Sequence, residues 1–535
     1  MAKLVLHCLR KNNKHNFRHS KLFQKKKPLL NIHHQNTLML DNQISTDNLL
    51  SSSNTHQNSN PIISKEGLDM IKIVAKETAE ENKAVDIKGL IRSEKCQVVK
   101  LAVTGNVDSG KTTLVGVLAK GIADDGRGGA RAKVFNFNHE AKNGRTASIG
   151  QEIMGFDENG KQVLAERFVQ SKNKYWPEVV SKSKKVVTLL DLCGHEKYLK
   201  TTMYGLVGMV PDYVMIIVGA NMGISRMTRE HLGVTLALKI PFFVVLTKID
   251  MCPDNIYNET METLLKILKS GGVNRKPIVI KNDEDIYAGA EGLGTDRICP
   301  IFSCSSVNGE NLDKLIKFIS LLNDRNKTNK FIKPVDAPIQ FDIKRNFMVG
   351  GVGIVTSGIV RAGTIKIGST IMLGPDRLNT FRPVVVKSIH VNRVTTDQAV
   401  PGEIACLSIR PVNKKDTLSM DDFRKGMVMI DPSLKMDPIW EFEAEVLILH
   451  HSTTIRKGYQ AVLHCGVIRQ SIMIDHIPQE LLRTGDKAIV KFRFMYNAEY
   501  LRPGLNILLR EGRTKILGIV IKVHDSSEKN KEAVL

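Results

Sequence analysis

The chain has 535 residues, of which 42% are hydrophobic and 25% are charged, and its formal net charge is +22. This length is too great for one hydrophobic core and predicts about three domains. No apolar stretch approaches the roughly 20 residues that a membrane-spanning helix requires, which excludes a helical membrane protein and predicts a soluble protein with no membrane contact.

The eight cysteines are scattered and form no C-x-x-C pair. A disulfide framework or a structural zinc site is therefore not expected, and a reducing compartment such as the cytoplasm is favoured. Residues 1–40 hold nine Lys or Arg and no acidic residue, which leaves a net charge of +13 for the rest of the chain. This excess suits a polyanionic partner such as RNA, and it equally suits a basic surface that serves only solubility.

Residues 1–60 are a basic segment rich in Asn, His, Ser and Lys without sustained periodicity, and we expect them to be disordered. The acid-free start has the charge of a mitochondrial transit peptide. Because Lys predominates over Arg and no amphipathic repeat is evident, targeting is not favoured. Residues 61–95 are expected to form a helical preface with an amphipathic helix over 66–84.

Residues 96–325 alternate apolar, strand-like runs with helical patterns. This alternation predicts an α/β domain with a mostly parallel sheet and helices on both faces. The strand-like runs are 98–103, 186–190, 213–218, 242–246 and 298–302. In an open sheet of this kind the ligand lies at the carboxyl ends of the strands, so the residues that follow each run are the candidates for a site.

After the first run comes G-N-V-D-S-G-K-T-T (105–113), which matches G-x4-G-K-[ST] and precedes a helical run at 114–118. This order is typical of a phosphate-binding loop, in which backbone N–H groups and the helix N-terminus face the phosphates. Lys111 would contact the β- and γ-phosphates, and the Thr112 hydroxyl would bind Mg²⁺. The alternative is a glycine turn between core elements. We expect the nucleotide to contact Asn106, Val107, Asp108, Ser109, Gly110, Lys111, Thr112 and Thr113.

The second run is followed by D-L-C-G-H (191–195). Asp191 at a strand end can hold an Mg²⁺-bound water, Gly194 can offer its N–H to a γ-phosphate, and His195 can position the attacking water. A histidine after a strand is more often structural, but the D-x-x-G pattern favours the catalytic interpretation here. Between these motifs, Thr146 in R-T-A-S-I-G can close the Mg²⁺ shell and sense the γ-phosphate.

The run at 242–246 is followed by T-K-I-D, which ends at Asp250. A carboxylate there can accept from both N1–H and the exocyclic amine of guanine, a donor pair that adenine lacks. T-K-x-D alone is a weak signal, since any exposed helix start can supply it. The run at 298–302 is followed by a polar turn that contains Ser305 and Ser306, whose backbone N–H groups can complete a guanine pocket, although serine-rich turns are common.

After the α/β region the sequence pattern changes from alternating strands and helices to short strand-like runs. Residues 333–432 show short alternating runs separated by glycines, and residues 436–525 show a second such set. Both patterns predict antiparallel β-barrels. Generic β-domains with unrelated roles are the alternative that these patterns leave open.

These motifs, in this order and on these strand ends, resemble those of the translational GTPases, which include elongation factor Tu and elongation factor 1-alpha. The similarity is greater still to the subfamily called GTP-binding proteins 1 and 2. It rests on G-R-T-A-S-I-G, D-L-C-G-H-E-K-Y-L-K-T-T, T-K-I-D-M-C-P and G-E-N-L, and continues through L-H-H-S-T-T-I, G-D-K-A-I-V-K-F-R-F and R-E-G-R-T-K. The resemblance covers about residues 95–525 and not the first 60.

The resemblance implies a GTPase that binds GTP and GDP, with Mg²⁺ and a K⁺ ion near Asp108. It implies a catalytic group of Lys111, Thr146 and His195, and metal ligands Thr112, Thr146 and Asp191. The implied nucleotide contacts are the phosphate loop, Asp191 and Gly194 on the phosphate side, and Thr247, Lys248, Asp250, Ser305 and Ser306 on the base side.

The resemblance also implies partners. The two barrels would grip aminoacyl-tRNA and meet the ribosome, and the protein would be a monomer. Arg469, Arg510 and Arg513 are candidate RNA contacts, and each is equally readable as a solvated charge of a barrel.

Two departures from the family pattern affect these expectations. Thr247 replaces the Asn of N-K-x-D, which puts one hydrogen bond on the base side in doubt. Arg145 stands where the elongation factors have an apolar residue that gates the histidine, with Val107 as the other half of the gate. Two other functions stay open: an RNA-surveillance or decay adaptor whose nucleotide state gates partner binding, and a non-translational relative such as the GTPase subunit of a sulfate-activating enzyme.

Overall fold

The computed structural model describes residues 96–165, 172–295, 297–325, 332–413, 415–512 and 514–524, with the backbone alone for 172–174. The expectations for residues 1–60 and 61–95, including the helix over 66–84, lie outside the described residues, as does Arg513. No helix in the described part of the chain is long and apolar enough to cross a membrane.

The first region is a sheet flanked by helices. Its strands are β1 (Gln97–Gly105), β2 (Gly150–Phe156), β3 (Gln162–Val163), β4 (Lys185–Asp191), β5 (Tyr213–Gly219), β6 (Phe242–Thr247), β7 (Lys276–Val279) and β8 (Ile298–Ser303). Its helices are α1 (Lys111–Lys120), α2 (Gly129–Ala132), α3 (Asn138–Asn143), α4 (Lys172–Lys182), α5 (Leu199–Gly208), α6 (Arg226–Ala237), α7 (Asp254–Lys269), α8 (Asp283–Leu293) and α9 (Leu312–Leu321). Short 3₁₀ turns cover Glu196–Tyr198, Ala220–Met222 and Ile249–Met251.

The strand order in this sheet is β3-β2-β4-β1-β5-β6-β8-β7. Only β2 runs opposite to the other strands: it pairs antiparallel with both β3 and β4, whereas β1, β4, β5, β6, β7 and β8 pair in parallel. The predicted mostly parallel α/β sheet is therefore confirmed. The carboxyl ends of β1, β4, β6 and β8 meet at one edge, which places the residues after each of them close together.

Consecutive residues of β1 pack into two different hydrophobic cores, one on each face of the sheet. Leu101 and Val103 pack with Leu114 and Leu118 of α1, whereas Ala102 points to the other face and packs near Met203 of α5. Side chains of consecutive strand residues point to opposite faces, so a strand covered on both sides must be apolar throughout. Burying one such leucine contributes about 1.5–3 kcal/mol, which fixes α1 and the loop before it on the sheet.

Two antiparallel barrels follow. The first barrel contains β9 (Gln340–Val349), β10 (Gly353–Ala362), β11 (Ile365–Lys366), β12 (Thr370–Gly374), β13 (Arg382–Val391), β14 (Val394–Thr396), β15 (Gln398–Ala399), β16 (Ile404–Pro411) and β17 (Val428–Ile430), with a 3₁₀ turn at Met420–Asp422. Its main sheet runs β12-β17-β9-β10-β16-β13-β14, and β12 also pairs with β13, so the strands close on themselves.

The second barrel contains β18 (Glu441–His450), β19 (Gln460–Cys465), β20 (Ile468–His476), β21 (Lys487–Phe494), β22 (Asn506–Glu511) and β23 (Thr514–His524). It is closed in the order β18-β21-β20-β19-β22-β23. In β21 every second residue is buried, starting at Ala488, which is the period-two pattern of a strand with one face on a core. Both predicted antiparallel barrels are therefore confirmed as folds.

Polar side chains join the sheet region to the barrels. The buried Lys100 of β1 donates from Nζ to the carbonyl oxygen of Gly402 in the first barrel over 2.9 Å. Glu230 of α6 pairs with Lys515 of the second barrel. These contacts hold the barrels against elements that also carry the edge of the sheet where the candidate residues lie.

Candidate nucleotide site

The predicted phosphate loop links β1 directly to α1. Gly105 has a φ of +156°, and a Cβ there would collide with the carbonyl oxygen of Ile217 on β5. Gly110 has a φ of +83° and caps the N-terminus of α1 in a left-handed conformation that favours glycine. Both glycines of the G-x4-G-K-[ST] pattern are thus required by the backbone, and the loop between them surrounds the N-terminus of a helix, where N–H groups can bind an anion.

Lys111 lies across this loop. Its Nζ donates to the carbonyl oxygen of Asn106 over 2.5 Å, and the residue is only 7% exposed. Burial lowers the pKa of Lys111, and the nearby Asp191 opposes that shift. A Cβ on Gly194 would collide with Lys111 Nζ, so glycine at 194 lets the strand end after β4 approach the lysine closely.

Three oxygen-bearing side chains meet beside Lys111. Thr112 Oγ1 lies 2.7 Å from Asp191 Oδ2 and 2.7 Å from Thr146 Oγ1, and Thr146 Oγ1 lies 3.3 Å from the same Asp191 oxygen. Burial raises the pKa of Asp191 to about 6, and its other oxygen, Oδ1, is buried without a hydrogen-bond partner among the described residues.

This group fits Mg²⁺. A hard divalent cation takes oxygen ligands, and it would supply the partner that the buried carboxylate lacks. The structure therefore brings together all three residues that the sequence predicted as metal ligands, although they come from α1, from the loop before β2 and from the end of β4.

The loop that carries Thr146 is held by Glu140, which the sequence analysis missed. The Glu140 side chain is buried, and its Oε1 accepts from the backbone N–H groups of Ala147 (2.8 Å) and Ser148 (2.9 Å) and from the Ser148 hydroxyl (2.9 Å). Its Oε2 accepts from the N–H of Asn136 over 3.3 Å. The one available signal was an acidic residue six positions before Thr146, a spacing that matches no helix or turn motif.

His195 lies at the rim of the same site. It is half-buried, its Nδ1 accepts from the backbone N–H of Lys197 over 3.0 Å, and its ring makes an edge contact with Tyr198. Since Nδ1 is occupied by that N–H, Nε2 is the nitrogen left to face another group.

One cavity joins the phosphate loop to the loop that carries Thr146, here called the switch loop, and to the segment of Gly194 and His195. It is lined by Val107, Asp108, Gly110, Lys111, Thr112, Thr113, Arg131, Gly144, Arg145, Thr146, Gly194 and His195. Val107 and Arg145, the two positions of the expected gate, both line it, so the Arg145 side of that gate is charged rather than apolar.

The residues predicted to contact the base form a second cluster. Ser305 Oγ donates to Asp250 Oδ1 over 2.6 Å, and it also accepts from the N–H groups of Val307 and Asn308. Lys248 holds a left-handed backbone with φ +62°. Asp250 is exposed, and Ser305 orients its carboxylate, so the acceptor pair proposed for guanine is placed before any ligand binds.

The Thr247 side chain faces the phosphate loop rather than this cluster, and the carbonyl group of Ser306 contacts the segment that carries Asp124. Thr247 Oγ1 donates to the carbonyl oxygen of Ser109, and the Ser306 carbonyl oxygen accepts from the N–H of Asp124 over 2.8 Å. The sequence put one hydrogen bond on the base side in doubt at Thr247. In the structure the hydroxyl of this residue holds the phosphate loop instead.

The candidate RNA contacts differ in exposure. Arg469 is exposed on β20. The Arg510 side chain is 12% exposed, and its Nη1 lies 4.0 Å from Glu230 of α6. Arg510 therefore faces the contact between the sheet region and the second barrel, which leaves Arg469 as the more accessible of the two.

Comparison with known proteins agrees with this geometry. A family model, the elongation factor Tu GTP binding domain, matches residues 96–324. GTP-binding protein 1 of Xenopus laevis is 46% identical over 429 residues, which are 80% of this chain and 64% of that protein. GTP-binding protein 2 of Homo sapiens is 38% identical over 432 residues, which are 79% of this chain and 69% of that protein.

A solved structure shares the fold. The translation elongation factor SelB from Methanococcus maripaludis, in complex with the GTP analogue GppNHp, has a TM-score of 0.55 at 17% identity, over 82% of each chain. The chain spans about 64% of the Xenopus relative's length.

Proposed function

This chain belongs to the family of GTP-binding proteins 1 and 2, among the GTPases with an elongation-factor-Tu-type domain, and on that premise we propose that it is a GTP-dependent switch that hydrolyses GTP to GDP and phosphate. The observation that carries the proposal is the meeting of Thr146 with Thr112 and Asp191 within 3.3 Å. This contact joins the loop that carries Thr146 to the phosphate loop, so a γ-phosphate there would be sensed by both.

In this mechanism the chain positions the reactants and stabilises charge, with little covalent chemistry of its own. Lys111 neutralises charge that develops on the oxygen between the β- and γ-phosphorus atoms. The N–H of Gly194 faces the γ-phosphate, and His195 orients the attacking water. Thr112, Thr146 and Asp191 would hold Mg²⁺, which neutralises phosphate charge when bound. We assign no step to the K⁺ ion expected near Asp108, a residue that lines the same cavity.

Base selection follows from Asp250. A carboxylate held by Ser305 can accept both donors on the Watson–Crick edge of guanine, whereas adenine would leave it unpaired. Sites built to pair with such a donor reject analogues that lack it by large factors. We therefore assign guanine recognition to Asp250 and Ser305, with Lys248 and the N–H of Ser306 beside them.

We further propose that the GTP-bound protein, a cytoplasmic monomer, binds aminoacyl-tRNA and the ribosome. This proposal is supported by family membership, by the two barrels and by the net charge of +22. Hydrolysis would release Thr146 and Gly194 from the γ-phosphate. The sheet region would then rotate relative to the barrels, and contacts such as that of Lys100 with Gly402 lie between these two parts.

The test of the RNA proposal is protection of the ester bond of aminoacyl-tRNA, measured with GTP and with GDP. Slower deacylation with GTP alone is the expected result. Equal deacylation rates would refute tRNA binding, and co-purification of nucleases in that case would favour an RNA-decay adaptor. Absence of any RNA affinity at low salt would favour a non-translational relative.

The test of the catalytic proposal is hydrolysis by His195→Ala in the presence of ribosomes. GTP affinity should stay nearly unchanged while stimulated hydrolysis is lost. His139→Ala, an exposed histidine on α3, is the matched control and should behave as the parent protein. Equal stimulated rates for His195→Ala and the parent would refute the role given to His195.

A further inference from the structure

Arg131 lines the phosphate cavity from an element that the mechanism above does not use. It lies on α2, between the phosphate loop and the switch threonine, and its side chain is half-buried. Among the described residues no carboxylate pairs with it. Its guanidinium thus has no ion-pair partner at a cavity that it lines together with Lys111, and an arginine in that position can bind an anion.

The backbone that carries Arg131 is fixed by a buried carboxylate. Asp124 accepts from the N–H groups of Ala130 (2.8 Å), Gly126 (3.1 Å) and Gly128 (3.3 Å). Ala130 is buried, and its carbonyl oxygen packs so closely against α1 that a Cβ on Gly116 would collide with it. The segment is therefore packed firmly against the helix that begins at Lys111.

Gly128 makes room for the guanidinium, and Gly144 lies in contact with it. A Cβ on Gly128 would collide with Arg131 Nε, and a Cβ on Gly144 would lie 3.4 Å from Arg131 Nη2. Gly144 is two residues before Thr146, so the guanidinium lies against the switch loop at the point where that loop enters the cavity. A planar guanidinium matches the geometry of phosphate oxygens, and this one lies at the wall of the phosphate cavity.

Arg145 also lines the cavity, but it is exposed and lies on the switch loop itself. Its place therefore depends on the state of that loop. The backbone of Arg131 is held by α1 and by Asp124, so the position from which its charge reaches the cavity does not depend on the switch loop, and a charge placed in advance suits stabilisation of a transition state.

We propose that Arg131 is a catalytic residue that contacts the γ-phosphate and stabilises the negative charge of the hydrolytic transition state from within the same chain. In that step the water oxygen bonds to the γ-phosphorus, the bond from phosphorus to the bridging oxygen breaks, and the water proton ends on the released phosphate. Arg131 transfers no proton. The inference rests on the proposed GTPase function, and it adds a second cation to the site formed by Lys111.

Single-turnover hydrolysis by the full chain tests this role, with Arg131→Ala, Arg131→Lys and a control, Arg127→Ala, an exposed arginine of the same loop. Arginines that act in this way accelerate hydrolysis by about 10³–10⁵-fold. We expect Arg131→Ala to lose at least about 10-fold in rate, Arg131→Lys to recover part of it, and Arg127→Ala to match the parent.

Nucleotide affinities separate this role from a structural one. GDP should bind Arg131→Ala as it binds the parent protein, whereas binding of GDP with aluminium fluoride, which mimics the transferring phosphoryl group, should weaken at least about 10-fold. Loss of GDP binding to the same extent, or an unchanged hydrolysis rate, overturns the proposal. A parent protein that does not hydrolyse GTP would instead refute the proposed function, independently of Arg131.

Discussion

The hydroxyl of Thr247 donates to the carbonyl oxygen of Ser109 over 2.7 Å and so ties the end of β6 to the phosphate loop. Thr247 is 2% exposed, and its hydroxyl also lies 3.3 Å from the carbonyl oxygen of Val218. The first position of T-K-x-D therefore acts on the loop that holds the phosphates, and through it couples the base side of the site to the phosphate side.

Replacing Thr247 by Val should destabilise the protein and weaken GTP and GDP binding together. The variant keeps the shape of the side chain but leaves the Ser109 carbonyl oxygen buried without this donor, at a cost of about 1–3 kcal/mol. Urea unfolding and nucleotide titration measure the two effects. Thr247→Ser retains the hydroxyl and serves as the control, and equal stability of Thr247→Val and the parent would contradict the coupling.

Asp250→Asn should change base preference. The amide side chain of the variant has one acceptor oxygen and an NH₂ donor, so guanine loses a hydrogen bond to it. Xanthine has a carbonyl oxygen in place of the exocyclic amine of guanine, and that oxygen can accept from the amide. GTP affinity should fall at least about 10-fold and xanthosine triphosphate affinity should rise. Asp254→Asn, an exposed carboxylate at the start of α7, is the control. Unaltered selectivity in Asp250→Asn would remove Asp250 from the base site.

Glu140→Ala should loosen the switch loop. The substitution leaves the N–H groups of Ala147 and Ser148 without their acceptor and should cost about 1–3 kcal/mol of stability. Hydrogen exchange at those amides should accelerate, and Thr146 should lose its fixed position beside Thr112. Glu158→Ala, an exposed carboxylate, is the control. Unchanged exchange at both amides would show that Glu140 does not hold the loop.

Acid should destabilise the fold through His231. Burial, with Lys111 and Arg510 as further causes, lowers the pKa of His231 to about 3, and both ring nitrogens lack a partner among the described residues. The folded state therefore holds the neutral ring, and the unfolded state takes up a proton below pH 6.5. The stability that the neutral His231 ring contributes is fully present above pH 6.5 and is lost as pH falls towards 3. At pH 5 the loss in the free energy of unfolding is about 2 kcal/mol.

His231→Leu removes this titration. Urea unfolding at pH 7.5 and at pH 5 should show a smaller loss of stability in the variant than in the parent. Some loss should remain, because burial also lowers the pKa of His464 to about 4. Identical losses in both proteins would show that His231 does not titrate on unfolding.

The strands of the sheet could be predicted from sequence because buried parallel strands read as continuous apolar runs. The predicted run at 242–246 corresponds to β6 (Phe242–Thr247), and the predicted run at 298–302 corresponds to β8 (Ile298–Ser303). Since motifs at strand ends inherit this accuracy, Lys111 and Asp191 could be expected to meet from the sequence, whereas Thr146 lies in a loop and was assigned from its T-x-x-I-G setting.

The segment between the phosphate loop and Thr146 could not be predicted in this way. Helices α2 and α3 have four and six residues and little apolar periodicity. They are held by the buried carboxylates of Asp124 and Glu140, whose partners are backbone N–H groups in loops. Arg131 lies in this segment, so its approach to the phosphate cavity became visible only from tertiary contacts.

The central claim is that guanosine nucleotides bind at the cavity formed by Lys111, Thr112 and Asp191, with the base beside Asp250. The most direct test is calorimetric titration of the full chain with GTP and with ATP in the presence of Mg²⁺. We expect GTP to bind at least about 100-fold more tightly than ATP. Equal affinities for the two nucleotides, or no binding of either, would contradict the claim.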